Sequence, residues 1–258
     1  MREIGCWVLV LGLATTGCAR NGSPAFPEPL FVLAAVSLSE ALEEAGSRYT
    51  AATRQRVRFN FAASNILARQ VSEGIVADVL ISADDLQMDG LAEDGLIELD
   101  TRVPLLGNEL AVVVRQDWTG RLAGPLDLLA ADVERIAIGD PAGVPAGVYA
   151  RQYLERAGLW PAIASRLVPT TSVRAALAAV DGGHADAAMV YRTDVKMARH
   201  ARVAFIITGS HAPRIVYPAA VLKASRHESS ARAFIEWLRT EGASAVFRRH
   251  GFTPAPAP

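Results

Sequence analysis

The strongest constraint on this chain is an order of elements that occurs twice: a short apolar strand, a serine, then an amphipathic helix. Ser37 closes the run Phe31-Val32-Leu33-Ala34-Ala35-Val36 and precedes a helix with Leu38, Ala41, Leu42, Ala45 and Tyr49 on one face. Ser64 follows Val57-Arg58-Phe59-Asn60-Phe61-Ala62-Ala63 and precedes Asn65-Ile66-Leu67-Ala68-Arg69-Gln70. A serine at a helix start sets a hydroxyl beside N–H groups that lack an intrahelical partner, at the positive end of the helix dipole. That combination holds an anion. Taken singly, each serine reads more simply as an N-cap. Taken together they point further, because parallel strands bring their C-terminal ends to one edge of a sheet.

The rest of the chain keeps the alternation, which predicts an α/β fold with mainly parallel sheet. Strands are expected at 57–61, 77–82, 110–114, 135–139, 187–191, 203–207 and 217–222. Helices are expected from 65 to about 74, at 86–93, 125–130, 146–157, 173–180, 229–240 and 243–249. Two more helix starts resemble the serine units. Gly139-Asp140-Pro141-Ala142-Gly143-Val144-Pro145 puts a Gly/Pro-rich turn before Ala146, and Thr170-Thr171-Ser172 caps the helix that begins at Val173. Four helix N-termini, two in each half, suit a cleft around a small anion.

At 258 residues the chain is long enough for two lobes, and 51% apolar with 21% charged residues is ordinary globular composition. A net charge of −1 suggests no polyanionic partner, so no nucleic acid is expected. The N-terminus reads as an export signal. Arg2 precedes an apolar stretch too short to span a membrane, followed by Ala14-Thr15-Thr16-Gly17-Cys18. Gly17-Cys18 resembles the end of a bacterial lipobox, which implies cleavage before Cys18 and lipid on its sulfur. Thr15 stands where leucine is usual, so plain cleavage after Ala19 is the alternative. Residues 1–18 are thus assigned to the signal and 19–29 to a polar, Pro-rich tether. Cys6 and Cys18 are the only cysteines, so the folded body has neither disulfides nor thiol chemistry.

At this point the sequence resembles the periplasmic molybdate-binding proteins of ABC importers. The resemblance rests on Ala34-Ala35-Val36-Ser37-Leu38, Ala63-Ser64-Asn65-Ile66-Leu67-Ala68-Arg69-Gln70, Ala77-Asp78-Val79-Leu80-Ile81-Ser82-Ala83-Asp84 and Leu105-Leu106-Gly107-Asn108. It continues through Gly139-Asp140-Pro141, Val144-Pro145-Ala146-Gly147-Val148-Tyr149-Ala150, Val173-Arg174-Ala175-Ala176-Leu177, Val190-Tyr191 with Asp194, and Val216-Tyr217-Pro218. It covers about residues 31–252. The resemblance implies a type II periplasmic-binding-protein fold, two α/β lobes joined by a hinge that the chain crosses twice, near 106–108 and 210–218. Lobe one is then 30–106 and 217–258, and lobe two 107–216 with the hinge segments. The implied ligand is molybdate or tungstate, with no cofactor. Ser37 and Ser64 would each give hydroxyl and N–H, Ala146 and Val173 their N–H alone, and Tyr191 its phenol. Such neutral donors suit a tetrahedral dianion and require no metal cation. The implied partner is an ABC permease, and the implied place is the periplasm or cell envelope, as a monomer whose only membrane link is lipid on Cys18. The sequence departs from the family where Ala63 and Asn65 flank Ser64 and where Ala142-Gly143 precede Val144, positions often more polar.

Other chemistries are weakly represented. Arg174 could contact an anion, but bracing the loop is the simpler role. Asp84-Asp85 reads as turn and cap rather than an acid–base pair. The five histidines share no ligand spacing. The Gly139–Gly147 turn lacks the Lys-Ser or Lys-Thr of a phosphate-binding loop, and there is no G-x-S-x-G elbow, so no enzyme is expected. The remaining alternatives are a binding protein for another oxyanion (sulfate, thiosulfate or phosphate) and a ligand-sensing effector domain of a transcription regulator, which the export signal opposes. The signal yields a direct test. Protein made in a bacterial host should carry lipid at Cys18 and sediment with membranes, and Cys18→Ser should be released. A mass spectrum showing an unmodified N-terminus at Arg20 would establish plain secretion instead.

Overall fold

The structure, a computed structural model, describes residues 28–256. The signal assignment and Cys18 lie outside that span, as does all of the tether except Glu28 and Pro29. The chain opens with three strand–helix units: β1 (Leu30–Ala35) and α1 (Ser39–Thr53), β2 (Val57–Ala62) and α2 (Ser64–Ser72), β3 (Val79–Ile81) and α3 (Asp85–Glu93). β4 (Val103–Asn108) runs almost directly into β5 (Leu110–Arg115). Next come β6 (Ile136–Gly139), α4 (Pro145–Arg156), the single turn α5 (Trp160–Ile163), β7 (Leu167–Thr170) and α6 (Val173–Asp181). β8 (Ala187–Tyr191), β9 (Ala201–Ile206) and β10 (Ile215–Val221) precede the closing helices α7 (Glu228–Leu238) and α8 (Glu241–His250) and the two-residue β11 (Thr253–Pro254).

These strands form two sheets, in the orders β11-β4-β10-β3-β1-β2 and β7-β6-β8-β5-β9. Two α/β lobes result, each built on one sheet. The expectation of mainly parallel sheet is corrected: β1 is parallel to β2 and β3, and β6 to β7 and β8, but β10 and β5 run against both of their neighbours. The cause is the double crossing. A strand that enters a lobe from the other one must run away from the boundary, whereas the strand–helix units of that lobe all run towards it. β4, β7 and β11 had no expected counterpart, since Pro104, Gly107, Pro169 and Pro254 mask their patterns. β7 is an edge strand, where a proline costs no ladder bond.

Strand alternation supplies both faces of the first sheet. Leu30, Val32 and Ala34 of β1 pack with Leu38, Leu42 and Ala45 below α1 and with Phe234 of α7, while Leu33 and Leu80 meet Leu67, Val71, Met88 and Leu91 of α2 and α3 on the other face. Tyr49 fixes α1 to α7 by edge contacts with Phe234 and Trp237, at centroid distances of 5.0 and 5.4 Å. Among the described residues no helix is long and apolar enough to cross a membrane.

The second lobe holds α4 unusually close to its sheet. A Cβ placed on Gly147, in the first turn of α4, would lie 1.9 Å from the carbonyl oxygen of Gly139 at the end of β6. Backbone cannot yield as a flexible side chain can. Gly147→Ala should therefore destabilise the protein by about 2–3 kcal/mol, read as a lower denaturant midpoint at unchanged slope. Gly90→Ala, exposed on α3 with open space around it, is the control and should be neutral or slightly stabilising.

Candidate functional site

The parallel pairs decide where the helices begin. β1 and β2 end in register at Ala35↔Ala62, and β6 and β7 at Gly139↔Thr170. The starts of α1, α2, α4 and α6 therefore gather where the two lobes meet. They border a small cavity lined by Ser37, Ser64, Ala146, Val173 and Tyr191. The five residues singled out from sequence thus share one cavity, with Val36, Ala63, Ala83, Val144 and Pro145 among its other walls. Among the described residues, no charged side chain lines it.

Each polar group has a local reason for facing this space. Ser37 lies in a 3-10 turn, Val36–Leu38, and α1 starts only at Ser39. Ser64 is the first residue of α2, with Ala63 as its N-cap. Neither serine side chain caps its helix, which removes the simpler reading of both. The Ser64 hydroxyl oxygen accepts the Ala83 N–H at 2.9 Å, so its own proton is left to donate elsewhere. The Ser37 hydroxyl pairs with the buried Tyr217 phenol at 3.1 Å. In α4, Pro145 has no N–H, and those of Gly147 and Val148 return to the Val144 carbonyl. Ala146 therefore provides the first unengaged donor of that helix. In α6 the Ser172 hydroxyl caps the Ala175 N–H at 3.1 Å, which leaves the Val173 N–H at the cavity wall. Tyr191 ends β8, is 1% exposed, and its phenolic oxygen has no hydrogen-bond partner among the described residues. Burial, reinforced by nearby Asp84 and Asp194, pushes its pKa well above the usual tyrosine range, so it stays a donor.

The charged groups nearby are engaged outside the cavity. Arg174 forks onto Glu40 of α1 at 3.1 and 2.7 Å, and its Nε reaches Asp194 at 2.5 Å. It braces one lobe against the other, a longer reach than the bracing of its own loop preferred from sequence. Burial pushes the Asp194 carboxyl up, and the Arg174 guanidinium opposes that rise. Asp84 caps α3 through the Gln87 N–H, and Asp85 pairs with Arg102, as turn-and-cap residues should. Burial also raises Asp84 to about 6, and one carboxylate oxygen each of Asp84 and Asp194 is unpartnered among the described residues. Asp140 stabilises its turn through the Ala142 N–H. Sequence reasoning missed Tyr217 as a neighbour of Ser37 and Glu40 as the partner of Arg174, because both meet across large sequence separations.

Comparison with known proteins gives a consistent picture. The family model described as bacterial extracellular solute-binding protein matches residues 30–253. The molybdate-binding protein ModA of Escherichia coli K12 is 31% identical over 258 aligned residues, covering 95% of this chain and 96% of that one. Two solved structures share the fold. The Azotobacter vinelandii periplasmic molybdate-binding protein superposes with a TM-score of 0.77 at 22% identity, covering 88% of this chain and 100% of that one. The sulfate-binding protein SubI of Mycobacterium tuberculosis superposes with a TM-score of 0.79 at 18% identity, covering 89% and 92%.

The unpartnered phenol generates a test that needs no ligand. A buried hydroxyl without a partner costs about 1–3 kcal/mol, so Tyr191→Phe should leave the ligand-free protein as stable as before or stabilise it by up to that amount. Thermal and denaturant melts read this directly, and a loss above about 1 kcal/mol would mean that the phenol is bonded within the protein.

Proposed function

The chain belongs to the bacterial extracellular solute-binding protein family, and from that premise we propose that it captures molybdate or tungstate and delivers it to the membrane permease of an ABC importer. The observation that carries this reading is Tyr191, a phenol kept protonated by burial, unpartnered among the described residues, and set in one cavity with two serines and two helix N-termini. Such a cavity offers hydroxyl and N–H from Ser37 and Ser64, N–H from Ala146 and Val173, and the Tyr191 phenol. A tetrahedral dianion carries lone pairs enough for all of them, and the aligned dipoles replace its lost hydration without a counter-charge.

The role is carriage rather than chemistry. No nucleophile–base pair faces the cavity, and its lining has no titratable side chain except Tyr191. The protein would act outside the cytoplasm as a monomer with no cofactor, held at the membrane only by lipid on Cys18. Selectivity follows from protons. Phosphate near neutral pH keeps at least one, and a P–OH facing this wall would meet another donor. Sulfate has no proton, so only its smaller radius opposes it.

Calorimetry should give one site per chain, with similar affinities for molybdate and tungstate, much weaker sulfate binding and no phosphate binding between about pH 6 and 8. Ser37→Ala and Ser64→Ala should each weaken molybdate by about 1.5–3 kcal/mol, and Ala146→Ser far less, because only its N–H takes part. If neither molybdate nor tungstate raises the melting temperature even at high concentration, the proposal fails. Equal losses at all three positions would contradict the backbone role of Ala146.

A further inference from the structure

The proton on Ser37 has a direction that the hydrogen bonds behind it determine. Glu109 N–H donates to Asn108 Oδ1 at 2.9 Å, which fixes the orientation of that amide. Its Nδ2 therefore faces the other way and donates to Thr193 Oγ1 at 2.9 Å and to Tyr217 Oη at 3.1 Å. Tyr217 is fully buried, and burial drives its pKa far above the ordinary value, so the phenol keeps its proton. Among the described residues its oxygen has two neighbours, Asn108 Nδ2 and Ser37 Oγ. The amide nitrogen cannot accept. The phenol must therefore donate to Ser37 or leave a buried O–H unsatisfied.

We infer that Asn108 and Tyr217 are specificity-determining positioning residues, which hold Ser37 as a donor towards the cavity. A hydroxyl that already accepts from Tyr217 has its own proton to give, as Ser64 has while it accepts from Ala83. The two hydroxyls are thereby made donors from behind, one by a backbone amide directly, the other by a relay that starts at a backbone amide. With one lone pair already occupied from behind, each hydroxyl is biased to aim its proton at the cavity rather than to accept one from a ligand. The relay lies where the chain crosses between lobes, on β4 and β10, which pair at Ile215↔Asn108 and Tyr217↔Leu106.

This inference rests on the anion-binding reading above, and a double-mutant cycle separates the two. Molybdate affinity is measured by calorimetry for wild type, Tyr217→Phe, Ser37→Ala and the double variant. Tyr217→Phe should weaken binding by about tenfold, and in the Ser37→Ala background the same change should have no effect. Phosphate at pH 6 should displace molybdate from Tyr217→Phe at concentrations that leave the wild type untouched, because Ser37 regains the freedom to accept. Additive losses, wild-type affinity, or phosphate no more effective against the variant would each overturn the relay. Should Tyr217→Phe fail to fold, Asn108→Ala keeps the phenol and removes the hydrogen it accepts. A few-fold loss that vanishes beside Ser37→Ala supports the inference, and unchanged affinity overturns it. A wild type that binds neither molybdate nor tungstate defeats the functional reading itself, whatever the variants do.

Discussion

Everything at the cleft depends on the register of two parallel strand pairs. Because β1 and β2 end level at Ala35↔Ala62, and β6 and β7 at Gly139↔Thr170, four helical segments are forced to begin within one small volume. The opening N–H groups of a helix have no partner inside it. Gathered in this way, they form a wall of partial positive charge without a formal charge anywhere in it. In the second lobe, Gly147 lets the start of α4 lie against the Gly139 carbonyl more closely than any larger residue would allow.

Formal charges are present nearby, but none of them lines the cavity among the described residues, although one carboxylate oxygen each of Asp84 and Asp194 has no partner there. Arg174 sits one residue beyond Val173, and its guanidinium is taken up by Glu40 on one side and Asp194 on the other. A free arginine at that place would attract any anion indiscriminately. Clamped, it joins the lobes instead. Its side chain is 20% exposed and that of Glu40 35%, so the cross-lobe pair contributes modestly to stability. It does tie α6 to α1, and so holds the Val173 N–H opposite Ser37. Charge here serves geometry, and the neutral groups are left to read the ligand.

The sequence made the helix-start serines, the Gly/Pro turn before Ala146 and the strand ending in Tyr191 legible, because each is a local pattern of strand, turn chemistry and amphipathic helix. It placed the buried face of α1 correctly for the same reason. What it concealed was non-local. β4, β7 and β11 are each interrupted by Pro or Gly, so they exist through pairing rather than propensity. The antiparallel entry of β5 and β10 follows from the path of the whole chain, which no window reveals. Ser37 looked like an N-cap, yet the insertion of one 3-10 turn before α1 frees its side chain for Tyr217, 180 residues away.

That long-range bond changes how the departures from the family pattern are to be understood. Of the departures noted from sequence, Ala63, Asn65, Ala142 and Gly143, only Ala63 lines the cavity, and none of them removes a donor. Here the roles are imposed from the main chain. Ala83 N–H makes Ser64 a donor, Glu109 N–H does the same for Ser37 through Asn108 and Tyr217, and Ala146 and Val173 face the cavity from helix starts. A backbone amide cannot exchange donor for acceptor, whereas a hydroxyl can rotate. A site anchored in this way keeps its donor character while the side chains around it change, provided that the strand registers hold and the buried Asn108–Tyr217 pair is retained.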